Sequence, residues 1–103
     1  MKQEFSVCMS VYKNDKPAEV NMALGSVINQ SVRPSEIVLV IDGPIPDSLN
    51  DILDGFSRKY TDLFNIIRLS ENKGLGNALK LATEAAKYEL VAQIGRASCR
   101  ERV

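Results

Sequence analysis

Glu36-Ile37-Val38-Leu39-Val40-Ile41 is apolar at five consecutive positions after its opening carboxylate, and Asp42-Gly43-Pro44 stops the run sharply. A strand with one wet face alternates apolar and polar residues. An unbroken Ile/Val/Leu run therefore marks a strand covered on both faces, as in a parallel sheet. Asp-Gly-Pro favours a turn and removes a backbone donor, so the strand ends there. Upstream, Phe5-Ser6-Val7-Cys8-Met9-Ser10-Val11-Tyr12 is rich in apolar and β-branched residues and reads as a first strand. Between the two, Val20, Leu24, Val27 and Ile28 recur at helical spacing, which predicts one apolar helix face. Asn14 or Asp15 is suited to cap that helix, and Pro17 to its first turn. Pro34 disfavours helical geometry at Arg33 and so closes it.

Downstream the alternation continues. Leu49, Ile52, Leu53 and Phe56 predict a second helix over 47–60, with Gly55 as a weak point. Asn65-Ile66-Ile67-Arg68-Leu69 reads as a third strand. Ser70-Glu71-Asn72-Lys73-Gly74 is a loop, and Leu75, Ala78, Leu79, Ala82 and Ala86 line a third helix ending near Lys87. Glu89-Leu90-Val91-Ala92 begins a fourth strand. The order β-α-β-α-β-α-β implies an α/β fold: a Rossmann-like parallel sheet with helices on both faces and right-handed crossovers. The expected strand order is 3-2-1-4, with the first strand central.

Composition excludes several classes. The chain has 103 residues, 13 basic against 13 acidic, 45% hydrophobic, no His and two Cys. This is ordinary globular composition for one domain. Zero net charge and the lack of a basic stripe argue against a nucleic-acid partner. No apolar run approaches a membrane span, and no secretory leader opens the chain. Without His, neither a Cys/His zinc site nor a His-based nucleophilic centre can be assembled, so any divalent metal would be held by oxygen.

The texture changes at Gln93-Ile94-Gly95-Arg96-Ala97-Ser98-Cys99-Arg100-Glu101-Arg102-Val103. The apolar period stops, and three of the 13 basic residues fall in the last eight positions. Written as codons, ATC GGA AGA GCG TCG TGT AGG for 94–100 resembles a translated sequencing adaptor. Residues 93–103 are therefore expected to be a non-native tail on a fragment cut near Ala92, with 95–103 outside the ordered fold. Residues 1–92 would form a nucleotide-binding part. They carry Cys8 alone, most simply a small core residue, which fits a reducing compartment. The sheet of such a fragment would be left with an exposed edge and only marginal stability.

Ligands of open α/β sheets bind beyond the carboxyl ends of the strands. Three loops fall there. After the first strand come Ser10 and Tyr12, the latter with a face for stacking a base or for simple packing. Asp42 ends the second strand, where its carboxylate can accept from ribose hydroxyls or a base N–H, or merely open a turn. Asn72-Lys73-Gly74-Leu75-Gly76-Asn77 places N–H groups and a cation at a helix start, a setting that favours anions and also serves as an ordinary helix beginning. A dinucleotide fingerprint would need its glycines after the first strand, and a P-loop a different spacing from Gly74, Gly76 and Lys80.

These stretches (FSVCMSVY at 5–12, SVINQSVRPSEIVLVIDG at 26–43 and ENKGLGNALKLA at 71–82) together resemble the nucleotide-sugar half of a family 2 glycosyltransferase with the GT-A fold. The likeness covers nearly all of residues 4–92, and its wording is similar to bacterial enzymes of exopolysaccharide and lipopolysaccharide synthesis. The resemblance implies that Ser10 and Tyr12 contact the nucleobase, Tyr12 by stacking. It implies that Asp42 hydrogen-bonds base or ribose, and that Lys73 reaches base or diphosphate. It further implies a nucleotide-diphosphate sugar donor and a glycan or lipid-linked acceptor. The location would be cytoplasmic, with the parent protein at the inner face of the membrane. Two departures stand out: Ser10 where many members have Pro, and Ile41-Asp42 where many have a double Asp. The family's manganese- or magnesium-binding Asp-x-Asp is expected directly after the fourth strand, where Gln93-Ile94-Gly95-Arg96 stands, so the metal is expected of the parent alone and the given chain is expected to be inactive. The competing reading is a non-catalytic nucleotide-binding or receiver-like module using Asp42. A receiver also needs a carboxylate just after the first strand, and Met9-Ser10-Val11 supplies none.

Overall fold

The computed structural model describes residues 4–30 and 32–96. Seven elements alternate along the chain: β1 (Ser6–Val11), α1 (Pro17–Asn29), β2 (Glu36–Ile41), α2 (Asp47–Lys59), β3 (Phe64–Arg68), α3 (Leu75–Ala85) and β4 (Val91–Arg96). The four strands form one sheet in the order β3-β2-β1-β4. Every pairing is parallel, with β1 between β2 and β4. The α/β class, the strand order and the central first strand are those the sequence predicts.

The strand period of two sorts the core into two layers. Val7, Met9 and Val11 of β1 and Ile37, Leu39 and Ile41 of β2 join Val20, Leu24, Val27 and Ile28 of α1 and Leu49 and Leu53 of α2. Cys8, Val38 and Val40 face the other way, against Ala78 and Ala82 of α3. Both central strands are buried along their whole length. That is why neither shows polar alternation. The second layer is built from smaller side chains, so α3 lies close to β1 and β2.

Helix starts differ from expectation. Lys16 is the N-cap of α1 and makes no side-chain cap, with Pro17 just inside. Neither Asn14 nor Asp15 caps the helix. Asp15 instead folds back on the preceding loop, where its Oδ2 accepts from the Tyr12 N–H at 3.0 Å. At the other end, Arg33 Nε donates to the Ile28 carbonyl at 3.1 Å, occupying one of the last-turn acceptors. Gly55 does not interrupt α2, because the amphipathic face on Leu49 and Leu53 holds the turn around it.

The fourth strand runs further than expected. Gly95 and Arg96 pair with Met9 and Ser10 after a register shift between Cys8 and Met9, so these two positions lie within the sheet rather than outside it. Ladder hydrogen bonds use backbone groups, which any non-proline sequence supplies at the open edge of β1. The rest of the expected disordered tail, 97–103, lies outside the described residues.

A buried polar clamp closes the amino edge of the sheet. Glu36 Oε1 accepts from the Ser6 hydroxyl at 2.7 Å and from the Lys87 backbone N–H at 2.8 Å. It ties β1, β2 and the segment between α3 and β4 together. Its other oxygen, Oε2, is buried without a partner among the described residues.

Candidate functional site at the carboxyl edge

Parallel register brings the strand ends level. Val11 of β1 pairs with Ile41 of β2, and Ile41 with Arg68 of β3. The residues that follow, Tyr12, Asp42 and Leu69, therefore leave the sheet side by side. Asp42 N–H donates to the Val11 carbonyl at 2.8 Å and Leu69 N–H to the Ile41 carbonyl at 2.9 Å, so the ladder continues one step into the loops. The three loops singled out in the sequence meet at one edge.

Tyr12 is half-buried and opens the first loop. Its N–H donates to Asp15 Oδ2 at 3.0 Å and its carbonyl accepts from Asp15 N–H at 3.1 Å. This reciprocal pair closes a tight turn that fixes where the tyrosine leaves the sheet. Asp15 is 6% exposed and is a site residue that the sequence reading assigned to helix capping. Its signal was the three-residue spacing from Tyr12, the spacing at which an Asp side chain reaches back to local backbone. Ser10 lies one step inside β1, 2% exposed, at a position that alternates with the inward residues of the α1–α2 layer and so shares the α3 side with Cys8.

Asp42 is placed where the sequence put it, but its carboxylate is already engaged. It is 2% exposed. Oδ1 accepts from the Lys73 N–H at 2.7 Å and Oδ2 from the Gly74 N–H at 3.1 Å. The Asp42 carbonyl accepts from Asn72 Nδ2 at 3.2 Å. The next residue, Gly43, has φ +93°, and a Cβ there would lie 2.8 Å from Asn72 N. Glycine is needed both for the left-handed backbone and for the close approach of the loop. Residues 42–43 and 71–74 thus form a latch, of which Asn72 and Gly43 were not foreseen as partners of Asp42.

The latch delivers Lys73 to the same edge. Gly74, with φ +92°, is the N-cap of α3 and lets the chain turn directly from the latch into the helix. The Lys73 carbonyl accepts from Asn77 Nδ2 at 2.8 Å. Its Nζ reaches Glu71 Oε2 at 3.3 Å, with both side chains well exposed. An ion pair in that setting contributes at most about 1 kcal/mol and is easily exchanged for another anion.

Among the described residues, no group of three or more His, Cys, Asp or Glu is placed to hold a metal ion. Nor is any helix of these residues long and apolar enough to cross a membrane. Two recesses lie elsewhere. One of about 380 Å³ sits at the amino edge, lined by Glu36, Asn65 and Tyr88, among others. The other, of about 500 Å³, runs along α3 beside Gln93 of β4.

Comparison with known proteins agrees with the architecture. A solved mannosyltransferase from Pyrobaculum calidifontis, in complex with GDP-mannose and Mn2+, superposes with a TM-score of 0.75 over 95% of this chain. At 20% identity and 28% of that enzyme's length, the likeness establishes the fold alone. Curated relatives include an Escherichia coli UDP-Gal:alpha-D-GlcNAc-diphosphoundecaprenol beta-1,3-galactosyltransferase, 33% identical over 88 residues, which are 85% of this chain and 31% of the relative. The amylovoran biosynthesis glycosyltransferase of Erwinia amylovora is 35% identical over 92 residues, 87% of this chain and 33% of that enzyme. The chain thus spans about a third of the length of these relatives. The family model for glycosyl transferase family 2 matches residues 6–94, from the first residue of β1 into β4. With the parallel 3-2-1-4 sheet and its latched carboxyl-edge loops, that match settles the assignment: the chain belongs to glycosyl transferase family 2.

Proposed function

We propose that residues 1–92 are the donor-binding part of a glycosyltransferase that moves a sugar from a nucleoside-diphosphate donor to a glycan or lipid-linked acceptor. The setting is bacterial surface-polysaccharide synthesis, in the cytoplasm at the inner face of the membrane. The observation that carries this reading is the family match over 6–94 on a fold whose three carboxyl-edge loops converge. The UDP-galactose donor and lipid-linked acceptor of the Escherichia coli relative, with the role of the Erwinia amylovora relative in amylovoran biosynthesis, support the substrate class. Their lengths make this a statement about a longer protein.

At this edge, Tyr12 stacks on the base, with Ser10 two residues before it in β1. Asp42 forms the floor between β1 and the 71–74 loop, and Lys73 addresses the diphosphate. In the transfer, an acceptor hydroxyl oxygen attacks the anomeric carbon and gives its proton to a base outside the described residues, while the bond to the diphosphate oxygen breaks and its electron pair stays on that oxygen. Divalent manganese or magnesium would neutralise that leaving group in the longer protein. Among the described residues, no cluster of three or more His, Cys, Asp or Glu is placed to form its site. What these residues contribute is binding and orientation of the donor.

The test is titration of the 103-residue chain with uridine diphosphate and guanosine diphosphate, each with and without manganese. Saturable binding of one of them is expected, with little response to the metal. Tyr12→Ala should weaken it by about tenfold or more, the usual worth of one base stacked on an aromatic ring. The reading fails if neither diphosphate binds saturably, or if Tyr12→Ala leaves both affinities unchanged.

A further inference from the structure

We infer that the recess at the amino edge of the sheet binds a guanidinium-type organic cation, with the unpaired oxygen of Glu36 as its anchor. The recess lies at the opposite end of the strands from the donor edge, so the inference stands apart from the donor-binding reading. It has a volume of about 380 Å³ and is lined by Glu36, Asp62, Phe64, Asn65, Lys87 and Tyr88, among others. Its position follows from the sheet. Glu36 alternates with Ile37 and Leu39 of the α1–α2 layer and so belongs to the α3 side, and Asn65, level with Val38, shares that side. α3 ends at Ala85, and the segment that follows meets Glu36 through the Lys87 N–H.

Three observations set the chemistry. Glu36 is 4% exposed, and while Oε1 accepts from Ser6 and Lys87, Oε2 has no partner among the described residues. A buried acceptor without a donor is costly, and more so when it carries charge. Second, the field at this edge is negative: the Tyr88 phenol is raised above its ordinary value, first by the charge of Glu4 and in lesser part by that of Glu36. Lys87 does not cancel it, since among the described residues no ion pair joins its side chain to Glu36. Third, the lining combines two carboxylates, Glu36 and Asp62, with the Asn65 amide and the rings of Phe64 and Tyr88. Two carboxylates are few for a divalent ion. Aromatic faces and an amide oxygen suit a planar, weakly hydrated cation with several N–H donors. Oε2 is enclosed, and the exposed Lys87 side chain is the part of the wall free to move aside for the incoming donor.

The probe is methylguanidinium chloride, titrated into the 103-residue chain and followed by amide NMR, with sodium chloride and methylammonium chloride at equal concentration as comparisons. Saturable shifts are expected at Asn65, Lys87 and Tyr88, with a dissociation constant of about 1 mM, the affinity open to so small a ligand. Glu36→Gln keeps the acceptor for Ser6 and Lys87 but puts an amide NH2 where the unpaired oxygen stood. It should weaken binding by about tenfold or more. Asp62→Asn, at an exposed position, should weaken it by about two- to threefold. Methylammonium, more strongly hydrated, should bind about threefold more weakly or worse. N-acetylarginine amide distinguishes the source of the cation: binding as tight as methylguanidinium supports an arginine side chain as occupant, and loss of binding supports a free small cation. Shifts that stay linear, or that match those of sodium chloride, overturn the inference, as does saturable binding that Glu36→Gln leaves intact. Methylammonium bound as tightly as methylguanidinium overturns the guanidinium class. If Glu36→Gln does not fold, Asp62→Asn decides: an unchanged constant overturns the site.

Discussion

Replacing Glu36 separates two effects that are usually entangled in a buried carboxylate. Glu36 is 4% exposed; Oε1 accepts from the Ser6 hydroxyl and the Lys87 N–H, while Oε2 has no partner among the described residues. Glu36→Gln and Glu36→Ala both remove the charge and so both relieve its desolvation. Only Glu36→Ala also removes the shared acceptor. The difference between the two variants therefore reports the clamp together with the packing of the buried Glu36 methylenes. An unpaired buried polar group costs about 1–3 kcal/mol. Ser6 is fully buried and bears that cost in full; Lys87 sits at the surface, where water replaces part of its bond. Glu36→Ala should thus be about 2–4 kcal/mol less stable than Glu36→Gln, a large share of the 5–15 kcal/mol typical of a domain. In urea, a slope of about 1–1.5 kcal/mol/M would place the two midpoints roughly 2 M apart. Glu36→Gln itself should lie near the unsubstituted chain, since its oxygen retains both donors. Stabilities within about 0.5 kcal/mol of each other would refute the clamp.

Two glycines with the same backbone sign give a paired test. Gly43→Ala meets both a left-handed φ and Asn72 N at 2.8 Å, whereas Gly74→Ala meets only the φ, with nothing within 4 Å. The first should cost about 2–4 kcal/mol and the second about 1–2 kcal/mol in urea unfolding, and equal costs would show that the close approach is absent. Burial pushes the Cys8 thiol above its ordinary value, with the Thr83 hydroxyl opposing and Glu36 adding to the rise. A group raised in the folded state contributes stability below its unfolded value, near 8.5, that is lost as pH climbs through the folded one. The stability advantage of the unsubstituted chain over Cys8→Ala should therefore shrink above about pH 8.5, and a pH-independent difference would contradict the shift.

The fold was legible because burial on both faces leaves a mark in composition. Ile37 to Ile41 could not be a half-wet strand, and Val20, Leu24, Val27 and Ile28 are all buried on α1 as their spacing requires. What periodicity did not carry is which polar side chain serves which backbone group. Asp15 stands two residues before Pro17 and suits a cap, yet the Tyr12 N–H lies within its reach and takes it. The extension of β4 through Gly95 and Arg96 was equally invisible, because a ladder asks only for N–H and C=O groups at the right height.

The candidate site shows the same division more sharply. Tyr12, Asp42 and the 71–74 loop could be placed at one edge because parallel strands deliver their carboxyl ends together. That Asp42 would spend both oxygens on Lys73 and Gly74 could not be read, since its partners are backbone groups about thirty positions away and carry no residue signature. This has a consequence for Lys73. The latch asks of position 73 an N–H and a carbonyl, which every residue but proline offers. The packing asks nothing of its side chain, which is exposed and paired with a neighbour two residues away in a contact worth little. The fold therefore gives no reason for a lysine at that point. A cation on a backbone fastened this firmly, at the edge where the strand ends converge, is what the proposed donor-binding role of Lys73 would use, with an anionic group outside the chain as its partner.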